Sequence, residues 1–383
     1  MGNALRLTAT CGLGLEELLA DELGRLTNRP LERQRGAVGF EGTWPDVWRA
    51  NWRLRVANRV LVELGTWKAE TGEELARGAA ELVRRQDLSW DGLRCAELFD
   101  PSRTLALRST ASASTVTDTR WINVSVKDGL VDAQRQIHGR RSSVDRKRPD
   151  LPLRVWLQRN RATLLLDTSG EPLDRRGYRV ESTTAPLREN LAAACVLASK
   201  WGGAGPVVDP MCGSGTLLAE AASVALARPA GLHRRGWAFE RLPGFEASAW
   251  DAIRAEPRTA IGPEVELYGA DVDPQALEAA RKNLRAAALA RRTTLTHGDA
   301  WEIEPPREPG LLLINPPYGA RLESPRDQWR GLGDLMKQRY KGWRAVVLAG
   351  DPDRGKHIGL RPSRRLPVRN GPLDARILVF DLY

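Results

Sequence analysis

Two kinds of apolar spacing divide the chain. The first part alternates short period-two stretches with helical ones. LRLTAT alternates, CGLG turns, and LEELLADELGRL repeats apolar residues at helical spacing. RGAVGFEG reads as a strand between glycines, and PDVWRANWRLRVANRVLVELG as a helix running into a strand, closing a small α+β unit near Gly65. A second unit begins with EELARGAAELVRRQDL, a helix with acidic residues early and Arg84 and Arg85 late, an order that suits its dipole. TLALRST predicts a strand and VSVKDGLVDAQRQIHG a helix that tolerates Gly129. LRVWLQRNRATLLLDTSG predicts two strands returning at an Arg-Asn turn.

From about residue 185 the spacing changes to alternating helix and buried strand. ENLAAACVLASKW is helical, PVVDP is a short buried strand, and GTLLAEAASVAL is a helix. ELYGAD, TLTHGD and LLLINPPYG are further strand ends, each followed by a turn or helix. This alternation predicts a parallel, doubly wound sheet. The expected organisation is therefore an α/β chain. Small α+β units fill residues 1–65 and 66–170, a linker runs over 171–184, and a doubly wound domain occupies 185–383. The chain shows no internal repeat and no low-complexity segment.

Composition narrows the partners. The 383 residues carry a net charge of +10, which favours an anionic partner, nucleic acid first. The densest basic stretch, GRRSSVDRKRPD, holds Arg140, Arg141, Arg146, Lys147 and Arg148, and suits either a solvated loop or contact with phosphates. The cysteines Cys11, Cys95, Cys195 and Cys212 form no CxxC pair, and there are four histidines, so neither a metal site nor a disulfide framework is expected. That usage fits a reducing, cytoplasmic setting. MGNALRLTAT has no long apolar core, so no signal peptide is expected, and no apolar run reaches membrane-spanning length. The 13 tryptophans are dispersed and read mostly as packing residues.

In an open α/β sheet, ligands sit at the carboxyl ends of the strands. At the first such end, VVDPMCGSGTLLAEAA, Asp209 closes the strand. Pro210, Cys212, Gly213, Ser214 and Gly215 form a tight turn, and Thr216 opens a helix. Glycine lets a ligand lie against the backbone there. At the second end, Asp271 can accept from both hydroxyls of a ribose, while Asp273 before Pro274 reads as a helix cap. At the third, Asp299 can accept from an adenine amine or serve as a turn former after Gly298. The glycine turn carries no basic residue for a phosphate, which favours a nucleoside such as S-adenosylmethionine over a nucleoside triphosphate.

The fourth end is INPPYG. Pro316, Pro317 and Gly319 would stop any strand, but Asn315 and Tyr318 need another account. The Asn315 side-chain oxygen and the Pro316 carbonyl are two rigid acceptors suited to an NH2 group on a planar ring, and Tyr318 can stack on that ring. Such acceptors offset the charge that develops when a delocalised amine attacks an electrophilic methyl, with no strong general base required. The target base must be unpaired or flipped out.

DPMCGSGTLLAEAA followed by INPPYG resembles the class I methyltransferases of exocyclic amines. LDRRGYRVESTTAPLRENLAAACV, the insertion ARPAGLHRRGWAFERLPGFEASAWD, ATCGLGLEELLADEL, SVDRKRPDLPLRVWLQ and the closing RNGPLDARILVFDLY are similar to the bacterial THUMP-domain family of guanine-N2 RNA methyltransferases. The resemblance covers nearly the whole chain. It implies a ferredoxin-like region, a THUMP RNA-binding domain and a Rossmann-like methyltransferase domain using S-adenosylmethionine, and it favours RNA contact for Arg140, Arg141, Arg146, Lys147 and Arg148 of the basic loop. It also implies that Asn315, Pro316, Pro317 and Tyr318 form the catalytic wall. TAPLREN, with Pro186 and Arg188, matches a stretch that closes over the cofactor, although Arg188 also fits a solvent-facing helix start. Asp209 and Asp271 lie 62 positions apart, against roughly 20 in a dinucleotide fold, and the family carries an insertion in that gap. The ribosomal members often have a second methyltransferase domain, which this chain ends without. The expected activity is methylation of guanine N2, in 23S rRNA first and in tRNA as the alternative. Adenine-N6 methylation of DNA or RNA, methylation of a glutamine amide, and a non-catalytic ribosome-assembly role remain rivals.

Overall fold

The computed structural model describes residues 4–183, 186–316, 325–351 and 353–383. Its first half contains β1 (Leu5–Thr10), α1 (Glu16–Leu26), β2 (Leu31–Gln34), β3 (Ala37–Gly42), α2 (Trp44–Arg53) and β4 (Arg59–Lys68). There follow α3 (Gly72–Arg84), a small hairpin of β5 (Ser89–Trp90) and β6 (Leu93–Arg94), α4 (Cys95–Leu98), β7 (Leu105–Ser112), α5 (Thr119–His138), β8 (Leu151–Gln158) and β9 (Arg161–Asp167).

These strands make one seven-stranded sheet, ordered β2-β3-β1-β4-β9-β8-β7. The two α+β regions seen in the sequence therefore share a sheet, joined where β4 pairs antiparallel with β9. The β8–β9 return is a two-residue hairpin: Arg159 and Asn160 both have positive φ, 50° and 57°, as the twist of such a turn demands. Gly129 of α5 also has a reason. A Cβ there would sit 2.0 Å from the carbonyl oxygen of Ala76 on α3, so the close approach of α3 and α5 requires glycine.

The second half runs α6 (Glu189–Ala198), β10 (Val207–Asp209), α7 (Thr216–Ala225), α8 (Ala247–Ala255), β11 (Leu267–Asp271), α9 (Pro274–Ala286), β12 (Thr293–His297), β13 (Leu311–Ile314), α10 (Pro325–Arg339), β14 (Arg344–Ala349), β15 (Arg364–Asn370) and β16 (Leu373–Asp381). Its sheet is ordered β12-β11-β10-β13-β14-β16-β15. β10 to β14 are parallel, and β16 returns antiparallel against β14 with β15 hairpinned onto it. This is the doubly wound, Rossmann-like sheet that the alternation of helix and buried strand predicts.

The halves are tied through buried polar groups. Arg176, 1% exposed, donates to the carbonyls of Leu173 and Arg55 and lies 3.5 Å from Glu220 of α7. Arg55 in turn donates to Ser223 Oγ at 2.8 Å. An aromatic cluster welds α2 to the segment before β11, with Trp52, Trp237 and Trp250 in edge-to-face contact. No helix among the described residues is long and apolar enough to cross a membrane.

Candidate active site

The strand order reverses between β10 and β13, so the crevice at their carboxyl ends is the topological switch point. Asp209, Asp271 and Asn315 all lie at that end of the sheet. After β10 the chain turns through residues 210–215. Gly213 and Gly215 have φ of +51° and +78°, a region that disfavours side chains. A Cβ on Gly213 would have nothing within 4 Å, so the loop backbone borders open space there.

The loop is held from beneath. Met211 N–H donates to Asp209 Oδ1 at 3.2 Å, and Cys212 N–H donates to the Ala270 carbonyl at 2.8 Å. Asp209, Pro210, Cys212, Ser214, Gly215 and Thr216 are all buried. Burial pushes the Asp209 carboxyl up to about 8; the Met211 N–H opposes the rise and Asp271 adds to it. Burial likewise pushes the Cys212 thiol well above its usual range.

Asp271 is half-buried at the end of β11. Its Oδ2 accepts from Gly213 N–H at 2.8 Å and its Oδ1 from Asp273 N–H at 3.0 Å. A carboxylate has about four lone-pair positions, so one remains on each oxygen for the paired hydroxyls of a ribose. Asp273 caps α9 through Gln275 N–H at 2.8 Å, the role its position before Pro274 predicts. Asp299 is half-buried after β12, and its Oδ1 accepts from Trp301 N–H at 3.1 Å, a turn contact that leaves its Oδ2 available. Gly298 N–H donates to the Asp271 carbonyl at 3.2 Å, bringing these two strand ends side by side.

Asn315 is half-buried and Pro316 buried directly beyond β13, on the strand beside the glycine loop. Pro317 and Tyr318 lie outside the described residues. Pro186 and Arg188 are both exposed, Arg188 at the start of α6. The intervening Leu187 is fastened towards the loop by Arg179, which donates to the Leu187 carbonyl at 2.6 Å, to Glu189 Oε1 at 2.9 Å and to Thr216 Oγ1 at 3.1 Å.

Three residues that the sequence did not single out complete this end of the sheet. Arg179 is one. Asn283 of α9 is another: its oxygen accepts from the N–H groups of Val180 and Glu181, and its amide donates to the carbonyls of Glu181 and Ser214. A polar residue at a buried helical position was the available signal. The third is Val272, an apolar side chain 64% exposed directly after Asp271.

The basic loop behaves as two parts. Arg140 and Arg141 are exposed just beyond α5. Arg146, Lys147 and Arg148 line a cleft of about 710 Å³ away from the glycine loop. Asp145 Oδ1 accepts from the N–H groups of Lys147 and Arg148, fixing the turn that presents them.

Residues 176–378 match the RMKL-like methyltransferase domain family, residues 6–61 the RlmL ferredoxin-like domain and residues 93–167 the THUMP domain. The chain belongs to the RMKL-like methyltransferases. A candidate RNA methyltransferase of Synechocystis sp. is 34% identical over 98% of this chain and 96% of its own length. The ribosomal RNA large subunit methyltransferase K/L of Syntrophotalea carbinolica is 34% identical over all of this chain, which spans 54% of that enzyme. A solved candidate methyltransferase, SMU.472, complexed with S-adenosylhomocysteine, is 26% identical with a TM-score of 0.86, covering 100% of this chain and 99% of its own. S-adenosylmethionine is the cofactor of this RMKL-like fold. The open backbone at Gly213 and the free acceptor positions on Asp271 fit its nucleoside, and the loop offers no cation for a phosphate.

Proposed function

We propose that the protein methylates the exocyclic N2 amine of an unpaired guanosine in RNA, with 23S rRNA in the cytoplasm as its target. The observation that carries this reading is the position of Asn315 and Pro316, two acceptors beyond β13, beside the glycine loop of β10 at the switch point. RNA rather than DNA is supported by the THUMP match and by the names of the relatives.

When bound, S-adenosylmethionine supplies an electrophilic methyl on a sulfonium. The chain supplies position and charge. Asn315 Oδ1 and the Pro316 carbonyl accept from the two amine protons, drawing the nitrogen lone pair out of conjugation and offsetting its developing positive charge, and one of those protons passes to water once the nitrogen carries the methyl. Asp271 and Asp299 would hold the ribose and adenine ends of the cofactor, near the Leu187 backbone that Arg179 fastens. Tyr318 provides the stacking wall for the flipped base.

Radiolabelled methyl transfer to RNA from a strain lacking the gene, followed by mass mapping of the product, tests this. The wild type should label a guanosine N2 in 23S rRNA, and Asn315→Ala should lower turnover by about 100-fold or more. Label in tRNA, or on adenine N6, would replace the target. RNA binding without any transfer by the wild type would leave an assembly factor.

A further inference from the structure

The cleft that takes up Arg146, Lys147 and Arg148 is built by three parts of the chain. Arg59 of β4, Arg108 of β7, Arg154 of β8 and the basic loop make up one wall, from the first half of the chain. Arg235 and Arg241, from the insertion between β10 and β11, make up the other. None of its lining residues belongs to the glycine loop or to the ends of β11 and β13, so it is a second site.

Charge in this cleft is unbalanced. Nine lining side chains are Arg or Lys and three are Asp or Glu. The three acids are already committed. Asp167, 2% exposed, accepts from both Arg59 and Arg154 and from the N–H groups of Ser169 and Gly170. Glu171 pairs with Arg175 at 3.0 Å, and Glu240 accepts from Trp237 N–H at 2.9 Å. Arg108, Arg146, Arg148 and Arg235 are exposed at the rim, and their side chains meet no carboxylate within ion-pair reach among the described residues. Cations gathered without counter-charge repel one another, and a polyanion relieves that repulsion while releasing its own counterions.

The insertion is fixed to the basic loop. Arg241 donates through Nη2 to the Pro149 carbonyl at 2.9 Å, and Arg103 donates to the Arg241 carbonyl at 3.0 Å. The two walls are therefore held at a set separation. Trp237, the aromatic residue in the lining, is buried, so the cleft offers phosphate contacts and no stacking face.

We infer that this groove holds the sugar–phosphate backbone of an unpaired RNA segment, and that the insertion of the methyltransferase domain is one of its two RNA-contacting walls. The inference rests on the reading of the protein as an RNA enzyme. A single strand can enter a cleft of about 710 Å³ lined by cations from both walls; a duplex is a convex cylinder and reaches only the rim. With no base-stacking face, the contacts position the RNA without reading its sequence. Because one wall belongs to the methyltransferase domain, RNA seated here is aligned to the domain that holds the cofactor.

Fluorescence anisotropy with an oligouridine of roughly 15 nucleotides and with a blunt hairpin of equal charge tests this. Titrations run between about 50 and 200 mM KCl. The wild type should bind the single strand at least about tenfold more tightly than the hairpin. Arg108→Ala combined with Arg235→Ala, one cation from each wall, should weaken oligouridine binding about tenfold and flatten the log–log salt slope by about 1.4. Unchanged affinity and slope in that variant would overturn the groove. Equal binding of the hairpin would overturn the unpaired strand, and equal competition by polyglutamate would assign the groove to an acidic protein instead. Methyl transfer to total RNA is a separate readout: transfer with no groove effect defeats this inference alone, and groove binding without transfer supports it while defeating only the catalytic reading.

Discussion

The glycine loop and the basic groove draw on very different lengths of chain. The loop is eight consecutive residues, 209–216, plus contacts from Arg179, Asp271, Ala270 and Asn283. The groove takes side chains from Arg59 to Arg241. In the loop, the key backbone and carboxylate groups have internal partners, and several of its side chains are buried. In the groove, the rim cations are exposed and meet no carboxylate among the described residues. The contrast fits the ligands proposed for the two sites. A small nucleoside is recognised by a few fixed donors and acceptors, so each must be set in advance. A polyanion is recognised by a field, so cations on mobile side chains suffice provided their bases are held in place.

The largest expected effect probes how far the loop depends on burial. Asp209→Asn keeps an oxygen for the Met211 N–H but cannot ionise. Unfolded, the Asp209 carboxyl ionises near its ordinary value of about 4; folded, it titrates at about 8. Between those values the folded protein keeps a proton that the unfolded chain has released. This group's contribution to stability is full below about pH 4 and is lost as pH rises through 8. The unfolding free energy of the wild type, from denaturant titrations, should fall across that window relative to Asp209→Asn by up to about 5 kcal/mol. Parallel profiles would mean that the loop does not bury its carboxyl as tightly as the contrast requires.

The same contrast explains what could be read from the sequence. Local signals survived intact. The Arg-Asn return, the cap at Asp273 and the glycines of the loop each depend on neighbours a few residues away, and the structure shows them as expected. The strand ends carrying Asp209, Asp271 and Asn315 were legible because buried apolar runs stop abruptly at polar residues. What depends on distant pairing was not legible. The sharing of one sheet by β4 and β9 joins residues a hundred positions apart. β2, mostly exposed on a sheet edge, has too few apolar residues to stand out. Arg179 and Asn283 look like ordinary polar positions until folding brings them to the loop. The groove was glimpsed only in its local part, Arg146 to Arg148, because Arg59, Arg108 and Arg235 are isolated residues in the sequence.

A smaller effect separates the two sites by ligand. Asp271→Ala removes two acceptors of backbone N–H groups together with the free positions for a ribose. S-adenosylhomocysteine affinity, read by calorimetry, should fall about 10- to 100-fold, the range for hydrogen bonds to a charged acceptor. Oligouridine binding should hold to within about twofold, because RNA affinity of this kind comes from phosphate contacts made elsewhere. Loss of both together would show that the loop and the groove are one cooperative site and would remove the contrast.

The smallest effect tests whether basic charge alone or its placement matters. Arg140, Arg141, Arg146 and Arg148 sit within nine residues of one another and are all exposed, yet only Arg146 and Arg148 line the cleft. If net charge governed RNA binding, Arg140→Ala/Arg141→Ala and Arg146→Ala/Arg148→Ala would weaken it equally, since each removes two positive charges. If the groove governs it, the pair facing the cleft loses two phosphate contacts. The other pair loses only part of a long-range field that salt screens over about 8 Å at physiological strength. The double variant at Arg146 and Arg148 should then lower oligouridine affinity about tenfold and reduce the salt slope by about 1.4. The variant at Arg140 and Arg141 should change affinity less than about twofold, with its slope retained. Equal losses would return the whole loop to a diffuse basic surface, and the contrast between a set site and a field would then hold without a groove.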